Sequence, residues 1–132
     1  MNILFLCVGN SARSQIAEGL AKEMFPESFN VESAGSMPAN CVHDGAIKSM
    51  HEIGIDISNQ YPKRVEELDD KFIKNLDFVI TLCAEEICPF MSNNAKKIHW
   101  PNPDPAAIKL SKSHEKKIFN NTRDDIYNLI KS

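Results

Sequence analysis

"ILFLCVGNSARSQIAEG", residues 3–19, leads from a strand through a short loop into a helix. Its first four residues are all apolar and end at Cys7, a pattern typical of a strand that is buried on both faces. The small, turn-prone segment "VGNSA" follows, and Ile16 and Leu20 then fall at helical spacing. The stretch therefore predicts a β-loop-α unit in which Cys7 lies at the carboxyl end of the strand.

The rest of the chain repeats this alternation of strands and helices. We predict strands at residues 2–6, 29–35, 77–82 and 96–100, and helices over 16–24, 46–53, part of 65–75 and about 112–131. Pro26 and Gly54 are the stop signals of the first two helices. The alternation predicts an α/β fold, a three-layer sandwich with a four-stranded parallel sheet flanked by helices. The chain has 132 residues, and this length predicts that residues 1–132 form a single domain.

Composition excludes several function classes. The 15 basic and 18 acidic residues give a net charge of −3, which argues against a broad nucleic-acid or anionic-membrane surface. The apolar opening is shorter than a membrane span and lacks a signal peptide's basic leader and cleavage site, so we expect a cytoplasmic protein. In that compartment, cysteines are more often catalytic, redox-active or metal-binding than a disulfide framework. The four are Cys7, Cys41, Cys83 and Cys88.

Three reactive side chains follow predicted strands. Cys7 closes the first strand, Cys83 closes the third, and Asp104 follows the fourth in "HWPNPDP". Right-handed crossovers place the carboxyl ends of parallel strands at one edge of the sheet, where ligands bind in such folds. If the first and third strands are neighbours, these three side chains converge on one rim.

The loop after Cys7 has the chemistry of an oxyanion site. Gly9 and Asn10 tolerate the positive φ angles that turn successive N–H groups inward, and the helix start near Ser14 adds a positive dipole end. Arg13 can donate to two oxygens of one anion. This environment favours a thiolate at Cys7, which Ser14 can stabilise by a hydrogen bond. The candidate oxyanion-binding residues are Val8, Gly9, Asn10, Ser11, Ala12, Arg13 and Ser14. The alternative is that Cys7 is only a small buried hydrophobe.

The motifs "CVGNSARSQIAEG", "SAGS", "TLCAEEICP" and "HWPNPDPA" carry a resemblance that covers nearly the whole chain. "CVGNSARS" closely resembles the C-x5-R-[ST] loop of low-molecular-weight protein tyrosine phosphatases, and the four motifs together resemble thioredoxin-coupled arsenate reductases of the same fold. The resemblance implies that Cys7 is the nucleophile, that Arg13 and Ser14 are catalytic, and that Asp104 protonates the leaving oxygen.

Reduction of arsenate needs two electrons, which a pair of thiolates supplies as it becomes a disulfide. The resemblance implies that Cys7 attacks arsenic, Cys83 attacks Cys7 and releases arsenite, and Cys88 attacks Cys83. Thioredoxin would then reduce the Cys83–Cys88 disulfide, with no cofactor or metal, in a monomeric enzyme. Residues five apart in a helix rise about 7.5 Å, more than the ~7 Å that a disulfide spans. Residues 83–88 are therefore not expected to form a continuous helix when oxidised.

Two other functions remain open. One is a phosphatase for phosphotyrosine or small phosphoesters, acting through a cysteinyl-phosphate, with the extra cysteines as protection against oxidation. The phosphatases commonly have proline at the position of Gln15 and tyrosine at that of Ala106. The other is a non-enzymatic anion-binding or redox-sensing adaptor, which would need no general acid at Asp104. Zinc is disfavoured because C-x4-C is at the limit of ligand spacing and no second close pair follows.

A further expectation concerns potassium, which some of these reductases bind behind the loop through residues matching Asn10, Glu18 and Ser33 and an acidic side chain. At the position of that acid this chain has Lys63, whose ammonium group can take the place of the ion. The resemblance therefore implies potassium-independent activity. Cys41 has no predicted role, and the histidines, among them His43 at a helix start, are interpreted as structural or solvated.

Overall fold

The computed structural model describes residues 1–83, 95–106 and 112–131. The helices and strands are β1 (Asn2–Cys7), α1 (Arg13–Met24), β2 (Asn30–Gly35), α2 (Asp44–His51), a 3-10 turn (Val65–Glu67), α3 (Asp70–Lys74), β3 (Leu76–Cys83), β4 (Lys96–Asn102) and α4 (Lys112–Lys131). All strand pairs are parallel, in the order β2-β1-β3-β4. The predicted four-stranded parallel sheet is confirmed, and the first and third strands are neighbours.

Both faces of the sheet are covered, which is why β1 and β3 consist mostly of apolar residues that do not alternate with polar ones. On one face, Ile3, Phe5, Ile80 and Leu82 pack in one cluster with side chains of α1, α2 and α4. On the other face, the cluster contains Leu4, Leu6 and Val79 together with Val65 of the 3-10 turn, Leu68 just after it, and Phe72 and Ile73 of α3. The three layers of the predicted sandwich follow directly from this two-sided burial.

The second helix, predicted over 46–53, extends from Asp44 to His51. His43 is its N-cap, and its Nδ1 accepts a hydrogen bond of 2.9 Å from the Gly45 N–H. The chain turns after the helix at Gly54, whose φ of +81° suits a residue without a Cβ. The prediction that His43 has a structural role is confirmed.

The third predicted helix is divided into a 3-10 turn and the short α3. Leu68 is extended between them, and the Asp69 carboxylate caps α3 by accepting from the Lys71 N–H at 2.8 Å. The predicted behaviour of residues 83–88 on oxidation, and Cys88 itself, lie outside the described residues. In the described part of the chain, no helix combines the length and the apolar character needed to cross a bilayer.

Candidate active site

The carboxyl ends of β1, β3 and β4 form the rim that the sequence predicts. Cys7 ends β1, Cys83 ends the neighbouring β3, and Asp104 lies two residues beyond β4. Cys83 is paired in register with Asn102, the last residue of β4. The three predicted side chains therefore belong to one edge of the sheet.

The Cys7 sulfur is buried and faces two hydrogen-bond donors. The Asn10 N–H lies 3.2 Å from Sγ, and the Ser14 Oγ lies 2.8 Å from it. Because the Asn10 Nδ2 donates to Ser14 Oγ at 2.6 Å, the hydroxyl proton of Ser14 is available for the sulfur. Two hydrogen-bond donors are therefore directed at the Cys7 sulfur and hold it at the end of β1.

The segment 37–43 accounts for three carbonyl groups of the loop after Cys7, because its main-chain N–H groups donate to them. The bonds are from Met37 N to Val8 O (2.9 Å), Ala39 N to Gly9 O (2.9 Å) and His43 N to Ser11 O (2.8 Å). In a trans peptide, the N–H points away from the preceding carbonyl. The N–H groups of Gly9, Asn10 and Ala12 therefore point away from this segment, as the Asn10 N–H does toward Cys7. Sequence reasoning missed this support because only main-chain atoms provide it.

The left-handed residue of the loop is Asn10, with φ of +49°. Gly9 is not in that region: among the described residues, only Asn10 and Gly54 have positive φ. The expectation that Gly9 contributes a positive φ is thus wrong, because one left-handed residue is enough to turn this chain. Asn10 is held in place by its side chain, which accepts from the Lys63 N–H (2.9 Å) and donates to Ser33 Oγ (3.0 Å).

Arg13 is 3% exposed and is fixed by the ends of two strands. Its Nη1 donates to the Asn102 carbonyl at 3.0 Å and to the Leu82 carbonyl at 3.4 Å. Its Nη2 lies 3.9 Å from Asp104 Oδ2. A guanidinium group fixed in this way is preorganised beside the loop.

Asp104 caps a turn and also faces Arg13. Its Oδ1 accepts from the Ala106 N–H at 3.0 Å, which is the turn-capping bond, while Oδ2 faces Arg13. The side chain is 36% exposed, so protons can exchange with solvent. The turn and the arginine together direct the carboxylate toward the rim.

The described cysteines differ in redox state. Cys83 is buried and disulfide-bonded, whereas Cys7 is a buried free thiol and Cys41 an exposed one. The rim thus brings together a free sulfur and an oxidised one on adjacent strands. In residues 1–83, 95–106 and 112–131, no three histidine, cysteine or carboxylate side chains are grouped so that they could hold a metal ion.

The chain is similar to known proteins over nearly its whole length. Residues 2–131 match the family model described as low molecular weight phosphotyrosine protein phosphatase. The chain is similar to the arsenate reductase of Staphylococcus aureus strain Newman, with 43% identity over 126 residues, or 94% of this chain and 88% of the relative. It is also similar to the arsenate reductase of Halalkalibacterium halodurans, with 39% identity over 132 residues, or 98% of this chain and 92% of the relative.

A solved structure extends the comparison. The thioredoxin-dependent arsenate reductase of Corynebacterium glutamicum is similar with a TM-score of 0.69 and 32% identity. The similarity covers 98% of this chain and 59% of that chain.

Proposed function

Since this chain belongs to the low molecular weight phosphotyrosine protein phosphatase family, we propose that it is an arsenate reductase that forms arsenite by a three-cysteine relay regenerated by thioredoxin. The observation that carries the proposal is the disulfide-bonded Cys83 at the end of β3, beside the strand that ends at the free Cys7. Hydrolysis of a phosphate ester needs one sulfur, whereas transfer of two electrons needs a second.

Cys7 begins the reaction as the nucleophile. Its sulfur, facing the Asn10 N–H and Ser14 Oγ, forms a bond to arsenic, and one arsenic–oxygen bond breaks. That oxygen leaves as water, taking its last proton from Asp104. Arg13 and the N–H groups of the loop hold the remaining oxygens and stabilise the charge that develops on them.

Cys83 carries out the reduction. Its thiolate attacks the Cys7 sulfur, a sulfur–sulfur bond forms, and the sulfur–arsenic bond breaks with its electron pair on arsenic. Arsenic is reduced from As(V) to As(III) and leaves as arsenite. The position of Cys83 at the end of the strand next to β1 supports this step.

Cys88 completes the relay. Its thiolate attacks Cys83, Cys7 leaves as a thiolate, and a Cys83–Cys88 disulfide remains. Thioredoxin, or a similar protein dithiol, reduces this disulfide and supplies the two electrons and two protons consumed in each turnover. The exposed Cys41 takes no part.

The protein works as a cytoplasmic monomer, where its thiols stay reduced between turnovers. Arsenate is its substrate and a dithiol protein its partner, with no nucleic acid or membrane involved. Light scattering of the reduced protein that gave the mass of a dimer would contradict the monomer.

A thiol count tests the proposal. The fully reduced protein has four thiols and is mixed with excess arsenate, without external reductant and beside an arsenate-free control. We expect two thiols to remain, and the Cys41→Ser variant to fall from three to one in parallel. Mass mapping should identify the pair as Cys83 and Cys88. Four thiols before and after would refute the reductase.

A phosphatase is the second candidate, because Cys7, Arg13 and Asp104 together provide what phosphoester hydrolysis requires. The Cys83→Ser variant separates the two functions. If the protein is a reductase, this variant loses catalytic arsenate reduction but keeps any hydrolysis of p-nitrophenyl phosphate. Efficient hydrolysis by the wild type without arsenate reduction would favour the phosphatase.

A further inference from the structure

Gln15, the third residue of α1, is a fully buried primary amide with every polar group of its side chain in use. Its Nε2 donates to the Asn10 carbonyl at 2.9 Å and to the Tyr61 carbonyl at 3.1 Å. Its Oε1 accepts from Gln60 Nε2 at 2.7 Å. Two carbonyls need two donors and one amide needs an acceptor, so a glutamine fits this place and a carboxylate or an apolar side chain does not.

The bond to the Asn10 carbonyl acts on the loop after Cys7 (residues 8–14, the oxyanion loop) at its left-handed residue. The segment 37–43 holds the carbonyls of Val8, Gly9 and Ser11, and Gln15 holds the carbonyl between the last two, that of Asn10. Because the N–H of a trans peptide points away from its carbonyl, Gln15 sets the direction of the Ser11 N–H. Four successive carbonyls are then held, and the four N–H groups that follow them are oriented.

We propose that Gln15 is a positioning residue for oxyanion binding, which acts by holding the Asn10 carbonyl and so directing the Ser11 N–H at the anion. Gln60 supports it, since its Nε2 fixes the amide orientation of Gln15 through bonds to Oε1 and to the Gln15 carbonyl (3.1 Å). The assignment of the anion as arsenate rests on the proposed function, but the hydrogen-bonding argument applies to any tetrahedral oxyanion.

The test replaces Gln15 with methionine, which is neutral and of similar length but has no amide. Inorganic phosphate is the probe, because it is a tetrahedral oxyanion that thiols do not reduce. Loss of one oriented donor to an anion is expected to raise the Kd for phosphate about tenfold. The Ser11 amide signal in the NMR spectrum should no longer shift on phosphate addition. With arsenate, KM should rise by a similar factor while kcat changes much less.

Two further variants make the result decisive. Ser49→Ala removes hydrogen bonds between α2 and α4 to Asn120 and Arg123 and should keep the wild-type Kd. Gln60→Met should weaken phosphate binding in the same direction but less, and it takes the place of Gln15→Met if that protein does not fold. An unchanged Kd and an unchanged Ser11 shift in these glutamine variants would overturn the inference.

The two proposals fail in different ways. A wild type that binds phosphate but reduces no arsenate would refute the proposed reductase and leave the role of Gln15 to be decided by the variants. A wild type that reduces arsenate, with glutamine variants that bind phosphate normally, would refute only the role of Gln15. Wild-type protein that binds no phosphate would show that the oxyanion loop does not bind tetrahedral anions, and it would overturn the inference about Gln15 as well.

Discussion

The Lys63 ammonium group lies 3.7 Å from the Glu18 Oε1, and both side chains are buried. Glu18 also accepts from Ser33 Oγ at 2.6 Å, and Ser33 accepts from the Asn10 side chain. The carboxylate is thus connected to the oxyanion loop and neutralised by a cation that belongs to the protein. A free cation has less to gain there, because a fixed ammonium group already occupies the favourable potential.

Potassium should therefore not stimulate the enzyme. Exchange of potassium for sodium at constant ionic strength is expected to change the KM for arsenate by less than about twofold, because Lys63 supplies the charge that the ion would bring. Steady-state kinetics with each chloride salt give the measurement. A several-fold lower KM in potassium would contradict the prediction.

Removal of the buried ammonium should cost stability. Lys63→Met keeps most of the alkyl chain but leaves the buried Glu18 carboxylate with less compensating positive charge. We therefore expect the free energy of unfolding to fall by about 3 kcal/mol. Lys22→Met is the matched control, because Lys22 bonds the same carboxylate at 2.6 Å from a half-exposed position. It should cost about 0.5 kcal/mol. Urea unfolding that gave equal losses for both variants would contradict the distinction.

Glu32 should make stability depend on pH. Burial raises the pKa of its carboxyl above the ordinary 4.5, the Glu18 carboxylate raises it further, and Lys63 and Lys22 lower it in part. The native state then holds this proton more tightly than the unfolded state, so ionised Glu32 destabilises the protein at pH 7 and stops doing so as the pH falls below 4.5. Glu32→Gln should be more stable than the wild type by about 0.5 kcal/mol at neutral pH, with no advantage in acid.

Asp56 should give the opposite pH dependence to Glu32 when the thermal unfolding of both variants and the wild type is measured between neutral and acid pH. Hydrogen bonds from Ser58 lower the pKa of its carboxyl, so the charged form is favoured in the native state. Asp56→Asn should lose stability at neutral pH and approach the wild type as the pH falls through the lowered pKa. An advantage of Glu32→Gln that grew toward acid pH would refute the assignment of Glu32.

The fold could be predicted from the sequence because β1 and β3 are buried on both faces. Such strands are mostly apolar and lack the spacing of apolar residues that a helix shows. The roles of Cys7 and Arg13 could be predicted as well, since they depend on the type of side chain. The support of the loop was not visible in the same way. Segment 37–43 contributes main-chain N–H groups, which any residue except proline supplies. In sequence, Gln15 is only a departure from the phosphatase pattern, because its bonds to Asn10, Tyr61 and Gln60 arise from the fold.

Ser14 should control the reactivity of Cys7. Ser14→Ala removes the hydroxyl 2.8 Å from Sγ, and loss of this hydrogen bond should slow alkylation of Cys7 by iodoacetamide about tenfold near neutral pH. A Cys41→Ser background removes the exposed thiol, and mass spectrometry of the Cys7 peptide isolates the rate. Ser33→Ala, which does not touch the sulfur, should have a smaller effect. Equal alkylation rates in Ser14→Ala and the parent would contradict this role.

Gly35, rather than Gly9, should be the glycine that the oxyanion loop requires. A Cβ on Gly35 would overlap the Val8 carbonyl and lie 3.0 Å from Asn10 Cβ and 3.1 Å from Asn10 N, so loop backbone must move. A Cβ on Gly9 would meet only Ser11 Oγ, at 3.6 Å. Gly35→Ala should lose about 1–3 kcal/mol of stability and bind phosphate more weakly, while Gly9→Ala keeps nearly wild-type affinity. Calorimetric titration of both variants with phosphate gives the two affinities. A larger loss of phosphate affinity in Gly9→Ala than in Gly35→Ala would contradict the prediction and mean that the oxyanion loop needs glycine where the anion binds.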